Sequence, residues 1–217
     1  MANWLDSAFF SFDKAFLVFM SKLEGLAGGF LTPFFKFVSF FGEGGIFLII
    51  LSILLMLFAK TRRMGIAMLL AIGVGALLTN VIIKNSVQRT RPFYADPLYT
   101  SFWQKAGATI VGEYSFPSGH ATVTMTSMTA LFITSKNKKI SWAVYIFVLL
   151  TALSRTYLIV HYLTDIIGGL VVGAVGGVAG YYLAKYFYSL FDKHSQKKFC
   201  AFMLNADIKN LFKKNKE

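Results

Sequence analysis

Three short segments of this 217-residue chain hold residues whose types and spacing could do chemistry. Lys84 is followed seven residues later by Arg91, and Pro92 comes next. Phe116-Pro117-Ser118-Gly119-His120 forms the second segment, and Ser154-Arg155 with His161 and Asp165 forms the third. If a helix continues from Lys84, seven residues are about two turns, so both cations point one way and make an anion clamp. Pro92 would then end that helix. Pro, Ser and Gly before His120 suit a helix start. The free N–H groups and positive dipole end there favour a phosphate. His161 and Asp165, four apart, share a helix face. A carboxylate beside a histidine fixes its tautomer and raises its basicity. Three cations, two histidines, one carboxylate and a helix N-terminus describe a site for a phosphate.

The elements that position these residues are set by composition. Hydrophobic residues make up 56% of the chain and charged residues 15%. The mean hydropathy is +0.59. Disorder is excluded by the hydrophobicity, and a single soluble core by the shortage of surface charge. What remains is an all-α, polytopic membrane helix bundle. Stretches near the roughly 20 residues a membrane helix needs fall at about 44–60, 63–84, 118–135, 140–157 and 163–188. The last is rich in glycine, which allows close helix packing. Residues 5–43 read as two interfacial amphipathic helices broken at Gly25, Gly28, Gly29 and Pro33, with a sixth span as the alternative. The chain then divides into interfacial helices at 1–43, a membrane domain at 44–188 and a basic amphipathic tail at 189–217. A single cysteine, Cys200, excludes an internal disulfide framework and a Cys-based zinc site.

Basic residues fix the orientation. Lys60, Arg62 and Arg63 fill the turn after the first span, and Lys136, Lys138 and Lys139 the turn after the third. The tail adds Lys193, Lys197, Lys198, Lys209, Lys213, Lys214 and Lys216 on the same side, which the positive-inside rule makes cytoplasmic. The net charge of +12 is therefore a topology signal and a contact for anionic lipids at the cytoplasmic face, with no nucleic acid implied. All three chemical segments then fall at outward helix ends, although none was used to derive the orientation.

Each segment also has a plainer reading. Lys84 and Arg91 can snorkel to lipid phosphates. Ser118 can be an ordinary N-cap beside a surface histidine. Asp165, the one acidic residue in the five spans, can pair with Arg155. Arg89 reads as plain solvent contact. Against these stands their convergence at one membrane depth. The chemistry that fits is nucleophilic attack on phosphorus by neutral His161, oriented by Asp165, with His120 giving a proton to the leaving oxygen. Lys84, Arg91 and Arg155, with Ser118 and the Gly119 N–H, would hold the non-bridging oxygens. No metal-ligand spacing and no Gly-rich nucleotide loop occurs.

The three segments resemble the signature of the type 2 phosphatidic acid phosphatase family, which also includes bacterial acid phosphatases and vanadium haloperoxidases. Its pattern of Lys, six residues and Arg-Pro stands here as Lys84 to Arg91-Pro92. Pro-Ser-Gly-His stands as Pro117-Ser118-Gly119-His120, and Ser-Arg, five residues, His, three residues and Asp as Ser154-Arg155 to His161 and Asp165. The resemblance implies a metal-independent lipid phosphate phosphatase of the integral-membrane branch, with no cofactor. It implies His161 as nucleophile, His120 as acid and base, Asp165 as orienting carboxylate, and Lys84, Arg91, Ser118, Gly119 and Arg155 as phosphate ligands. The chain is expected to begin after the first helix that many six-span members carry, and so looks more similar to the shorter five-span members associated with undecaprenyl diphosphate. That lipid is the first expectation for the substrate, with phosphatidylglycerophosphate and phosphatidic acid as alternatives. The site is expected to face outward from a multi-pass plasma-membrane protein. A non-catalytic lipid-phosphate binding or transport protein is the competing class. A vanadate haloperoxidase is disfavoured in a membrane-embedded chain, and the sequence leaves the oligomeric state open.

Overall fold

The computed structural model describes residues 3–112 and 114–209, and every regular element among them is helical. Helix α1, Asn3–Gly42, is 40 residues long and bends at Ala27 (φ −135°, ψ 16°), between the glycines expected to break it. The break expected at Pro33 is absent, because the helix carries that proline inside. A straight helix of this length would span about 60 Å. Yet Asp6 near its start bonds Arg89, and Gly42 at its end lies against the His120 ring. The bend therefore folds α1 over one end of the bundle.

Gly44 and Gly45, at φ 55° and 69°, turn the chain through Glu43–Gly45 into α2, Ile46–Met56. Those left-handed residues set the start of α2, which is 11 residues long and ends at Met56, before the end of the apolar stretch expected at 44–60. Helix α3, Arg62–Ala76, continues through a π-helical segment, Leu77–Ile83, into α4, Lys84–Val87. The 85–117 connection holds α5, Pro92–Ala95, and α6, Pro97–Ala106, the latter capped by Asp96 Oδ1 accepting from Leu98 N at 2.8 Å. Then come α7, Gly119–Thr134; α8, Lys138–Tyr157; α9, Leu163–Lys193; and α10, Lys198–Asn205.

Among the described residues, three stretches are long and apolar enough to cross a membrane: Trp4–Met56, Arg62–Ala95 and Leu163–Lys193. Helix α7 is buried along most of its length, which is why it can be rich in Ser and Thr. Their hydroxyls turn back onto its own carbonyls, as Thr124 does to His120 O and Ser127 to Val123 O.

Helix α9 separates two faces. Ile167, Val171, Val175, Val178 and Tyr182 are exposed on one side, a lipid-type surface. On the other, glycines let backbones touch: a Cβ on Gly173 would sit 2.8 Å from Thr122 O of α7, and one on Gly180 would sit 2.4 Å from the Ala71 backbone of α3. The glycine-rich helix thus packs closely against α3 and α7 of its own chain. This packing sets the N-terminus of α9 beside that of α7.

Arg62, read from sequence as a topology charge, is 5% exposed. It donates to the carbonyls of Met203 and Leu204, and to that of Ala206, clasping the C-terminal segment. Helix α10 leaves Phe199 and Phe202 exposed. Leu211, Phe212, Lys213, Lys214 and Lys216 of the expected tail helix lie outside the described residues. Arg63, Thr134 and Lys185 line one cavity, so the basic turns gather at the C-terminal end of α9.

Gly180→Ala is expected to lower the thermal unfolding midpoint in detergent by roughly 2–10 °C, because the Ala71 backbone cannot yield. Gly29→Ala, where a Cβ meets nothing within 4 Å, should leave the midpoint unchanged or raise it. Equal effects would contradict the close approach of α3 and α9.

Candidate active site

The N-terminal end of α9 opens on a cavity of about 430 Å³. Lys84, Arg91, Gly119, His120, Arg155 and His161 all line it. The Gly42–Gly45 turn after α1 forms part of its wall. Ser118 and Asp165 stand behind the lining, each fully buried. The structure therefore brings all eight residues singled out in the sequence to one place.

The route by which two of them meet differs from expectation. Lys84 and Arg91 do not share a helix. Helix α4 ends at Val87, Gln88 turns left-handed (φ 53°, ψ 41°), and Arg91 is extended. Pro92 begins α5 instead of ending α4, since its fixed φ suits a first helical position. Arg91 is then folded back, and its Nη1 donates to Val160 O at 2.8 Å and lies 3.2 Å from His161 Nε2. The carbonyl is presented by the buried turn Leu158–Val160, where Ile159 adopts φ 57°. A β-branched residue rarely takes that conformation, so this turn is locally strained.

Arginine can only donate, so His161 Nε2 presents a lone pair and the ring proton sits on Nδ1. Nδ1 faces Asp165 Oδ2 at 3.4 Å and Ser115 Oγ at 3.5 Å. His161 belongs to the turn between α8 and α9, and its own pKa is pushed well below the usual imidazole range. Burial is the main cause, followed by the charges of Arg91, Arg155 and Lys84. The ring is neutral near pH 7, with its Nε2 lone pair toward Arg91 Nη1, and both residues line the cavity.

Ser118 is the N-cap residue of α7, but its hydroxyl makes no cap bond and has no partner. Its N–H donates to Asp165 O at 3.0 Å, which joins the starts of α7 and α9. His120 Nε2 is also buried without a hydrogen bond, since Glu43 Oε2 at 3.9 Å is beyond bonding distance. Arg155 Nη1 donates to Ser39 Oγ of α1, while its Nε has no partner. Orphaned polar atoms around a cationic cavity suit an anion bringing several oxygen acceptors. Among the described residues, no group of three or more His, Cys, Asp or Glu could hold a metal ion.

Two expectations are corrected. Asp165 does not pair with Arg155; its Oδ1 accepts from Arg89 Nη1 at 2.7 Å. Arg89 is not in solvent contact but 1% exposed, held between α1 and α9. The signal for it was present: Asp6 and Asp13 are seven residues apart on an apolar helix and need a cation. Ser115, which donates to Asp165 Oδ2, carried no such signal.

Comparisons with known proteins bear on the family of the chain. Residues 64–189, more than half of the chain, match the PAP2 superfamily. Undecaprenyl-diphosphatase BcrC of Bacillus subtilis (strain 168) is 35% identical over 105 residues, 48% of this chain and 50% of that protein. Phosphatidylglycerophosphatase B of the same organism is 32% identical over 127 residues, 54% of this chain and 57% of that protein. The chain thus spans about half the length of these curated relatives. The crystal structure of a transmembrane PAP2-type phosphatidylglycerolphosphate phosphatase from Bacillus subtilis aligns with a TM-score of 0.60 at 25% identity, covering 88% of this chain and 89% of that one. With its fold, its cationic cavity and this match in view, the chain belongs to the PAP2 superfamily.

Proposed function

We propose that this protein is a membrane-embedded, metal-independent phosphatase of lipid phosphates or diphosphates, acting through a phosphohistidine on His161. The observation that carries the reading is that His161, with Asp165 Oδ2 3.4 Å from its Nδ1, lines one cavity together with Lys84, Arg91 and Arg155. In the first step Nε2 bonds to phosphorus and the P–O bond to the leaving group breaks. His120 gives its proton to the leaving oxygen. The three cations, Ser118 Oγ and the Gly119 N–H hold the non-bridging oxygens, where transition-state charge sits. In the second step water attacks the phosphohistidine, His120 takes the water proton, the N–P bond breaks and inorganic phosphate leaves. Asp165 holds the Nδ1 proton throughout.

The substrate proposed first is undecaprenyl diphosphate, giving undecaprenyl phosphate; relatives named undecaprenyl-diphosphatase support it. Phosphatidylglycerophosphate is the second reading, favoured by a structural likeness that extends over 88% of the chain. Residues 44–188 form the phosphatase domain in this reading, with 1–43 at the interface and 189–217 as a basic tail on anionic lipids. The bend of α1 over the site end supports the interfacial placement. The basic turns lie at the opposite end, which supports a site facing outward from the plasma membrane.

Purified protein in detergent with EDTA should release phosphate from undecaprenyl diphosphate faster than from phosphatidylglycerophosphate or phosphatidic acid. His161→Ala should lose roughly a thousandfold or more in kcat. Normal turnover in that variant, or EDTA inactivation reversed by Mg²⁺, would defeat the mechanism; absence of turnover in the wild type would favour a binding protein. Lys84→Met and Arg155→Met should each weaken inhibition by orthovanadate about 10- to 100-fold, as expected for a lost charged hydrogen bond. Unchanged inhibition constants would remove those residues from the phosphate cradle.

A further inference from the structure

Arg89 lies outside the lining of the active-site cavity, yet one of its donors holds the carboxylate beside His161. Nε donates to Asp6 Oδ1 and Nη2 to Asp13 Oδ2, both at 2.8 Å. Nη1 donates to Asp165 Oδ1 and to Thr164 Oγ1, both at 2.7 Å. The guanidinium carbon lies 4.0 Å from the centre of the Tyr162 ring. Its own carbonyl accepts from Ser115 N at 2.8 Å, and Ser115 Oγ in turn donates to Asp165 Oδ2. Asp13 bonds the same region a second time, accepting from Thr164 N at 3.0 Å.

We infer that Arg89 is a positioning residue that makes catalysis depend on the seating of α1. It grips one oxygen of Asp165 so that the other faces His161 Nδ1, and its remaining donors tie that grip to Asp6 and Asp13. Two features separate this role from generic support. The two Asp165 oxygens are divided between Arg89 and the His161 side, so loss of Arg89 leaves the carboxylate held only through Oδ2, by Ser115 Oγ and the Tyr162 N–H. The grip also needs a planar fork reaching three carboxylates, which a lysine ammonium does not reproduce. The inference rests on His161 being the nucleophile.

The test compares Arg89→Lys, Arg89→Met, Asp165→Asn and the double variant Arg89→Met/Asp165→Asn in detergent, with lipid phosphate turnover, the thermal unfolding midpoint and His161→Ala measured alongside. Arg89→Lys, which keeps the positive charge and with it the fold, should lose tenfold or more in kcat with KM within about threefold of wild type. Arg89→Met should lose about a hundredfold, and the double variant should be no slower than Asp165→Asn alone, because both act through one carboxylate. Losses that multiply in the double variant, a loss confined to KM, or normal kcat in Arg89→Lys would overturn the inference. So would failure of Arg89→Lys to fold, which would make Arg89 a folding residue. Should His161→Ala stay active, the nucleophile reading itself falls, and that result is distinct from each of these.

Discussion

A carboxylate buried among membrane helices must be satisfied where it stands, and the surroundings of Asp165 are organised by that demand. Its side chain has no solvent exposure. Oδ1 accepts from Arg89; Oδ2 accepts from Ser115 Oγ and from Tyr162 N at 2.9 Å. Its backbone oxygen takes the N–H of Ser118. One residue thus fixes the connection after α4, the segment entering α7, and the start of α9. Removing a partner would leave an uncompensated buried charge, a far larger cost than losing a surface pair. His161, four residues earlier, inherits its orientation from this arrangement.

The lipid-facing helices cannot rely on the hydrophobic effect to find one another, because lipid tails are as apolar as leucine. Close approach through glycine does that work in α9, at Gly173 against α7 and Gly180 against α3. Helix α1 adds a polar attachment at the site end: Asp13 to Arg89 and Thr164, Thr32 to Tyr157 at 2.8 Å, and Ser39 to Arg155. The cavity sits between an apolar bundle locked by backbone contact and a bent helix held by buried hydrogen bonds. That division explains how cationic residues needing a rigid geometry can coexist with helices that face lipid.

Much of the bundle was legible in the sequence because long apolar runs have few other uses. The 63–84 stretch became α3, the π segment and the start of α4, and 163–188 became most of α9. The chemical residues were legible because charges inside such runs need a reason. Where the reading failed, backbone geometry intervened. Gly44 and Gly45 delayed the start of α2, and the left-handed Gln88 broke the helix expected to align Lys84 with Arg91. Arg89 was mistaken for a solvent-facing cation because its partners lie 76 and 83 residues away along the chain. Pairings of that separation are invisible to local spacing; only the unpaired acids of α1 hinted at them.

The central claim is that His161 Nε2 forms the covalent bond to phosphorus. Rapid acid-free denaturation of the protein during turnover of a ³²P-labelled lipid diphosphate, followed by peptide mapping under alkaline conditions, tests it directly. Label on the peptide containing His161, with phosphorus on Nε2, is the expected result, and it should disappear in His161→Ala. Label on His120, on Nδ1 of His161 or on any other residue would contradict the arrangement of nucleophile, carboxylate and cations described above.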